Sequence, residues 1–124
     1  MMNSGLLVSV VDDDESVRES LPDLLKEFGF ASRTFASAEE FLSSNGFLGS
    51  RCLILDVAMP GMSGPELQQE LKRRKIEVPI IFITARREES MTSRLIEQGA
   101  MACLSKPFSD TALLQALDAA LPPR

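Results

Sequence analysis

Apolar residues along this chain switch repeatedly between two spacings. Short, mostly apolar runs at residues 6–11, 52–55, 78–83 and 101–104 read as strands, and residues 31–35 can form another short one. The run at 78–83 is β-branched and apolar on both faces, as a buried parallel strand requires. Between the runs the spacing becomes helical. Over about 15–28 it places Val17, Leu21, Leu24, Leu25 and Phe28 on one face, and Gly29 ends the helix. Ser37 and Glu40 fit a capping box ahead of Phe41 and Leu42. Gly64-Pro65-Glu66 opens a third helix, with proline near the first turn, where its missing N–H costs little. A polar helix over about 87–98 turns Met91, Leu95 and Ile96 inward and ends at Gly99. Ser109 or Asp110 caps a last helix carrying Leu113, Leu114, Leu117 and Leu121, which Pro122-Pro123 ends.

Five strands alternating with five helices predict an α/β domain: a doubly wound parallel sheet with helices on both faces. A length of 124 residues fits one domain, residues 1–124, and the chain shows no internal repeat or low-complexity tract. Pro122-Pro123-Arg124 reads equally as the start of a linker or as a natural end.

Composition narrows the function. The net charge of −5 argues against direct nucleic-acid binding and against an anionic membrane surface, both of which need clustered Lys and Arg. No apolar run approaches the roughly 20 residues of a membrane helix, and the first residues lack a basic signal-peptide region, so a cytoplasmic location is expected. The two cysteines, Cys52 and Cys103, lie in apolar runs without CxxC spacing and read as buried reduced thiols. Histidine is absent, which removes Ser-His-Asp and Cys-His catalysis and every His-ligated metal site. Tryptophan and tyrosine are absent too, which weakens any reading built on base stacking.

Sites in an open parallel sheet form beyond the carboxyl ends of the strands. Asp12, Asp13, Asp14 and Glu15 follow the first predicted strand, Asp56 the third, Thr84 the fourth and Lys106 the fifth. Carboxylates held close together repel unless a cation compensates. Mg²⁺ suits one or two carboxylates, several waters and substrate phosphate oxygens. A hydroxyl and an ammonium group beside such a cation are what a transferring phosphoryl group requires.

With these residues in place, the chain resembles the receiver domain of bacterial two-component response regulators. The carrying segments are Val10-Val11-Asp12-Asp13-Asp14, the stretch from Leu55-Asp56 through Val57-Ala58-Met59-Pro60-Gly61-Met62-Ser63-Gly64, Ile83-Thr84-Ala85 and Lys106-Pro107-Phe108. The resemblance implies a flavodoxin-like strand order 2-1-3-4-5. It implies Asp56 as phosphoacceptor, with Lys106 pairing with the phosphoryl group and Thr84 hydrogen-bonding it. Asp12, Asp13, Asp56 and the backbone carbonyl of Ala58 would hold Mg²⁺ or Mn²⁺. It also implies a cis Lys106–Pro107 bond and a sensor histidine kinase as donor, which suits a chain that lacks histidine and receives. The partner-binding face, including any homodimer contact, would lie within about 87–121. The stretch after Asp56 is similar to receivers joined to helix-turn-helix transcription domains, so an output domain would lie beyond residue 124. One position departs from the family. Receivers often carry Phe or Tyr three residues before the lysine, where this chain has Cys103, leaving either a different coupling residue such as Phe82 or Phe108, or a weaker switch.

Blander readings exist for each residue. The acidic run could simply start a helix, Asp56 could be a turn residue, Thr84 could bond its own turn, and Lys106 could be a surface lysine. Their joint placement at strand ends favours the site. Two rival functions are weaker. A small aspartyl-phosphate phosphatase or phosphotransferase would need an acid two residues after the nucleophile, where Ala58 stands. A flavin-binding domain would need a phosphate-binding loop after the first strand, where the loop is acidic. The chain is therefore read as a switch that accepts a phosphoryl group and not as a turnover enzyme.

Overall fold

A computed structural model gives the fold and describes residues 5–86 and 88–121. The elements run β1 (Leu7–Val11), α1 (Glu15–Glu27), β2 (Ala31–Phe35), α2 (Ala38–Ser43), β3 (Ser50–Asp56), α3 (Gly64–Arg73), β4 (Ile80–Thr84), α4 (Glu89–Glu97), β5 (Ala102–Ser105) and α5 (Asp110–Ala120). All strand pairs are parallel, in the order β2-β1-β3-β4-β5. The predicted order 2-1-3-4-5 is therefore the observed one.

Alternate residues of each strand serve opposite faces, and the sheet divides the core in two. Val8, Val10, Cys52, Ile54, Ile81 and Ile83 meet Leu21 and Leu25 of α1 and Leu113 and Leu117 of α5. Val11, Leu53, Leu55, Ile80 and Phe82 meet Phe41 of α2, Leu67 and Leu71 of α3 and Leu95 of α4. Cys52 belongs to the first cluster and Cys103 to the second, so the sheet keeps the two free thiols apart. Burial pushes the Cys52 thiol up to about 12.

Caps set the helix starts. Asp14 N-caps α1 by accepting from the Ser16 N–H at 2.9 Å. Pro22 lies inside α1 and withholds a donor from the Arg18 carbonyl, yet the apolar face on either side holds the helix together. Gly29, with φ of 95°, follows its C-cap. The box predicted at Ser37 and Glu40 forms only by half. Ser37 accepts from the Glu40 N–H, but Glu40 reaches past Ser37 to the Ala36 N–H. A complete box stands instead at α3, where Ser63 and Glu66 each accept from the other's N–H. Ser63→Ala should cost about 1 kcal/mol of stability, read as a lower urea midpoint; an unchanged midpoint would contradict this.

Three expected details differ. Strand β4 begins at Ile80 and not at residue 78, because Pro79 has no N–H for the ladder; its carbonyl still accepts from the Leu53 N–H at 2.9 Å. Ile96 points outward at 42% exposure, since α4 meets the sheet through Leu95 and Met91. Leu114 is only half-buried, beside the buried row of Leu113, Leu117 and Leu121. Arg87 and Pro122-Pro123, named above at helix ends, lie outside the described residues.

Candidate functional site

Every predicted site residue stands at the carboxyl edge of the sheet. Asp12 and Asp13 follow β1, Asp56 is the last residue of β3, Thr84 ends β4, and Lys106 follows β5. Carboxylate oxygens of Asp12, Asp13 and Asp56 lie within 4.8 Å of one another. Lys106 Nζ stands 2.9 Å from Asp12 Oδ2 and 3.4 Å from Asp56 Oδ1. Asp13, Asp56, Thr84, Lys106 and Ala58 line an open cleft of about 380 Å³, bounded also by Asp14, Val57, Ala85, Arg86, Glu88 and Met91, and Asp12 lies buried beside it. A cleft of about 700 Å³ lies at the opposite edge, between the ends of α3 and α4. It is larger but has no group of three convergent carboxylates among the described residues, so chemistry and not volume selects the site.

The strands fix these side chains closely. Asp12 is wholly buried. Its N–H donates to the Phe35 carbonyl at 3.1 Å, and its Oδ1 accepts from the Asp14 N–H at 2.9 Å. Its Oδ2 faces Lys106 as an ion pair yet has no hydrogen bond of good geometry among the described residues. The Val57 N–H donates to the Ile83 carbonyl, and the Gly64 N–H to the Val57 carbonyl. The chain leaving Asp56 is thus tied to both β4 and α3.

Electrostatics follow from this crowding. Burial pushes the Asp56 carboxyl up to about 7, with the Asp12 charge adding to the rise and Lys106 opposing it. Burial works against the Lys106 ammonium, but Asp12 and then Asp56 outweigh it and hold its pKa above the usual lysine value. Three carboxylates against one ammonium leave two negative charges when all are ionised. The donor set is all oxygen, and among the described residues the buried Asp12 Oδ2 is met only by the Lys106 ammonium, as an ion pair. A hard divalent cation fits these residues.

Thr84 lines the cleft, and its hydroxyl is engaged in its own turn. Its hydroxyl donates to the Arg86 carbonyl at 3.0 Å and accepts from the Arg86 N–H at 3.2 Å, so it closes its own turn. Cys103 is buried beside its register partner Phe82, in the cluster facing α3 and α4. The Thr92 hydroxyl of α4 donates to its Sγ at 3.8 Å. Phe108 packs on the other side of the sheet, with the α1 and α5 cluster. Phe82 is therefore the aromatic ring next to Cys103. The Lys106–Pro107 bond is cis, as expected.

Two contacts that shape the site were not read from the sequence. Gly64 packs against the Asp56 main chain; a Cβ built there would stand 2.3 Å from the Asp56 carbonyl oxygen. Arg18 Nη1 donates to the Asp12 carbonyl at 3.0 Å. The signal for Arg18 was its place in the first turns of a helix, where the dipole disfavours a cation.

A doubly wound parallel sheet with an acidic, lysine-bearing cleft at its carboxyl edge defines a phosphoacceptor-type switch domain. The chain belongs to the response regulator receiver domain family, whose model matches residues 8–118. It is 46% identical to Nodulation protein W of Bradyrhizobium diazoefficiens over 92% of this chain and 50% of that protein. It is 39% identical to the transcriptional regulatory protein FixJ of Azorhizobium caulinodans over 97% of this chain and 57% of that protein. The solved structure of response regulator StyR is similar with a TM-score of 0.85 at 47% identity, covering 93% of this chain and 58% of that one. The structure of FixJ-N is similar with a TM-score of 0.83 at 38% identity, covering 97% and 94%. The chain spans about half the length of the curated relatives it matches. As a receiver domain it is a phosphoacceptor switch of two-component signalling, and the relatives do not favour the phosphatase alternative. No helix among the described residues is long and apolar enough to cross a membrane.

Proposed function

We propose that Asp56 is the phosphoacceptor of this switch and that a histidine kinase's phosphohistidine is the donor. The observation that carries this is the convergence of the buried Asp12 carboxylate with those of Asp13 and Asp56 and with Lys106, beside one open cleft. An Asp56 carboxylate oxygen forms the new bond to phosphorus while the bond from phosphorus to the donor nitrogen breaks, and the imidazole leaves with that electron pair. Lys106, already between Asp12 and Asp56, meets the charge on the phosphoryl oxygens. Thr84, at the end of β4, supplies the hydroxyl donor. Asp12, Asp13, Asp56 and the Ala58 carbonyl would hold Mg²⁺ or Mn²⁺, which neutralises charge on the transferring group.

Phosphorylation shifts a two-state equilibrium of the face spanning about 87–121. Ile96 and Met101, at 42% and 44% exposure, are apolar anchors for a partner or a second copy on that face. The transcriptional relatives, of which this chain covers only 50% and 57%, support a further output domain that controls transcription. The domain itself acts on no nucleic acid and no membrane, and works in the cytoplasm.

With Mg²⁺ and acetyl phosphate, mass spectrometry should show a gain of one phosphoryl group per chain. A small ester such as p-nitrophenyl phosphate should not be turned over. Sustained release of p-nitrophenol over many equivalents would replace the switch reading with the enzyme reading.

A further inference from the structure

We infer that Arg18 is a positioning residue for the cation site, holding the Asp12 main chain so that its carboxylate converges with those of Asp13 and Asp56. This rests on the reading of that cluster as a divalent-cation site. The ladder between β1 and β2 ends at the pair Val11 and Phe35. Beyond it the Asp12 N–H still finds the Phe35 carbonyl, but the chain after Phe35 turns into the α2 cap, and the Ala36 N–H is taken by Glu40. No further strand residue follows to donate to the Asp12 carbonyl. Arg18 Nη1 fills that role at 3.0 Å from α1. Asp12 is then held at its N–H, its Oδ1 and its carbonyl, which leaves Oδ2 held only by its ion pair with Lys106 among the described residues.

The placement of Arg18 runs against local preference. It is the fourth residue of α1, where the helix dipole disfavours a cation. It forms no ion pair among the described residues; its guanidinium is spent on a main-chain carbonyl. A residue that breaks a local rule while orienting a ligand is expected at a functional site. Groups that orient metal ligands typically change affinity about 10- to 100-fold when lost.

The test is Mg²⁺ titration of the unphosphorylated protein, followed by the amide NMR shifts of Asp13 and Val57. Arg18→Met keeps the aliphatic stem and loses both donor and charge; it should raise the Mg²⁺ Kd about tenfold. Arg18→Lys should restore most of the affinity. Loss of positive charge alone would tighten Mg²⁺ binding, so an unchanged or lower Kd in Arg18→Met overturns the inference. Equal weakening in Arg18→Lys and Arg18→Met, with equally lowered Tm in EDTA, also overturns it, because that pattern marks helix stability alone. If the unsubstituted chain shows no Mg²⁺-dependent shifts, the cation-site reading itself fails and the inference falls with it.

Discussion

Asp56→Asn should take up no phosphoryl group from acetyl phosphate under conditions where the unsubstituted chain is fully labelled. Asn keeps the size of the side chain but removes the nucleophilic oxygen, and no other acceptor on the sheet edge has the same surroundings. Asp12 is wholly buried with Oδ1 already bonded, and Asp13 is exposed, without the burial that surrounds Asp56. Intact-protein mass spectrometry reads the result, and labelling that survives the substitution would remove Asp56 from the role. The same variant carries a stability prediction. The Asp56 carboxyl is raised to about 7 in the folded protein from an ordinary value of 3.8. The folded state therefore holds its proton more tightly than the unfolded chain. That contribution is fully present below pH 4 and is lost as pH rises through 7. Without metal, the unsubstituted protein should lose stability over that window, while Asp56→Asn should not. At pH 8 the variant should be more stable by about 2 kcal/mol, since Asp12 and Lys106 readjust with Asp56 and reduce the full linkage. Urea midpoints at pH 4 and pH 8 in EDTA check it; a difference that does not change with pH would refute the linkage.

Gly64→Ala should be the most damaging small substitution near the cleft. The added Cβ would stand 2.3 Å from the Asp56 carbonyl oxygen and 3.1 Å from the Phe82 ring. Neither neighbour can yield easily. Asp56 pairs with Ile83 in the ladder, the Gly64 N–H is bonded to the Val57 carbonyl, and Phe82 is fully buried. Overpacking of this kind costs about 1–3 kcal/mol, and a backbone collision belongs at the upper end. Because relief must move the Asp56 main chain, phosphoryl uptake should also slow by about tenfold. Stopped-time labelling with acetyl phosphate and a urea titration measure the two effects. A variant that matches the unsubstituted protein in both would show that α3 does not fix Asp56. By contrast, a Cβ at Gly61 would meet the Glu39 carboxylate, the far end of a side chain that can swing aside, although its φ of 72° still disfavours alanine.

The sheet was legible because its strands are buried on both faces. Residues such as Ile80–Thr84 must be apolar on both sides, and that leaves an unbroken run in the sequence. The site residues were legible because the fold sends strand ends to one edge, so a sequence position becomes a location. The errors came where one residue overrode a pattern. Pro79 lies inside an apolar run but has no N–H. Ile96 fits a helical period, but α4 is anchored through Leu95. Arg18 and Gly64 act through contacts with main-chain carbonyls, and neither contact has a periodicity to read. The Thr84 hydroxyl closes its own turn, one of the two readings the sequence offered for it, while the residue lines the cleft.

That turn has a consequence. The Thr84 hydroxyl carries one hydrogen, and it is given to the Arg86 carbonyl. To donate to a group on Asp56 it must withdraw from Arg86, leaving that carbonyl, two residues from the N-cap of α4, in need of another donor. Occupancy of the cleft and closure of the Thr84 turn therefore compete for a single hydrogen atom. In this structure that hydrogen belongs to the backbone.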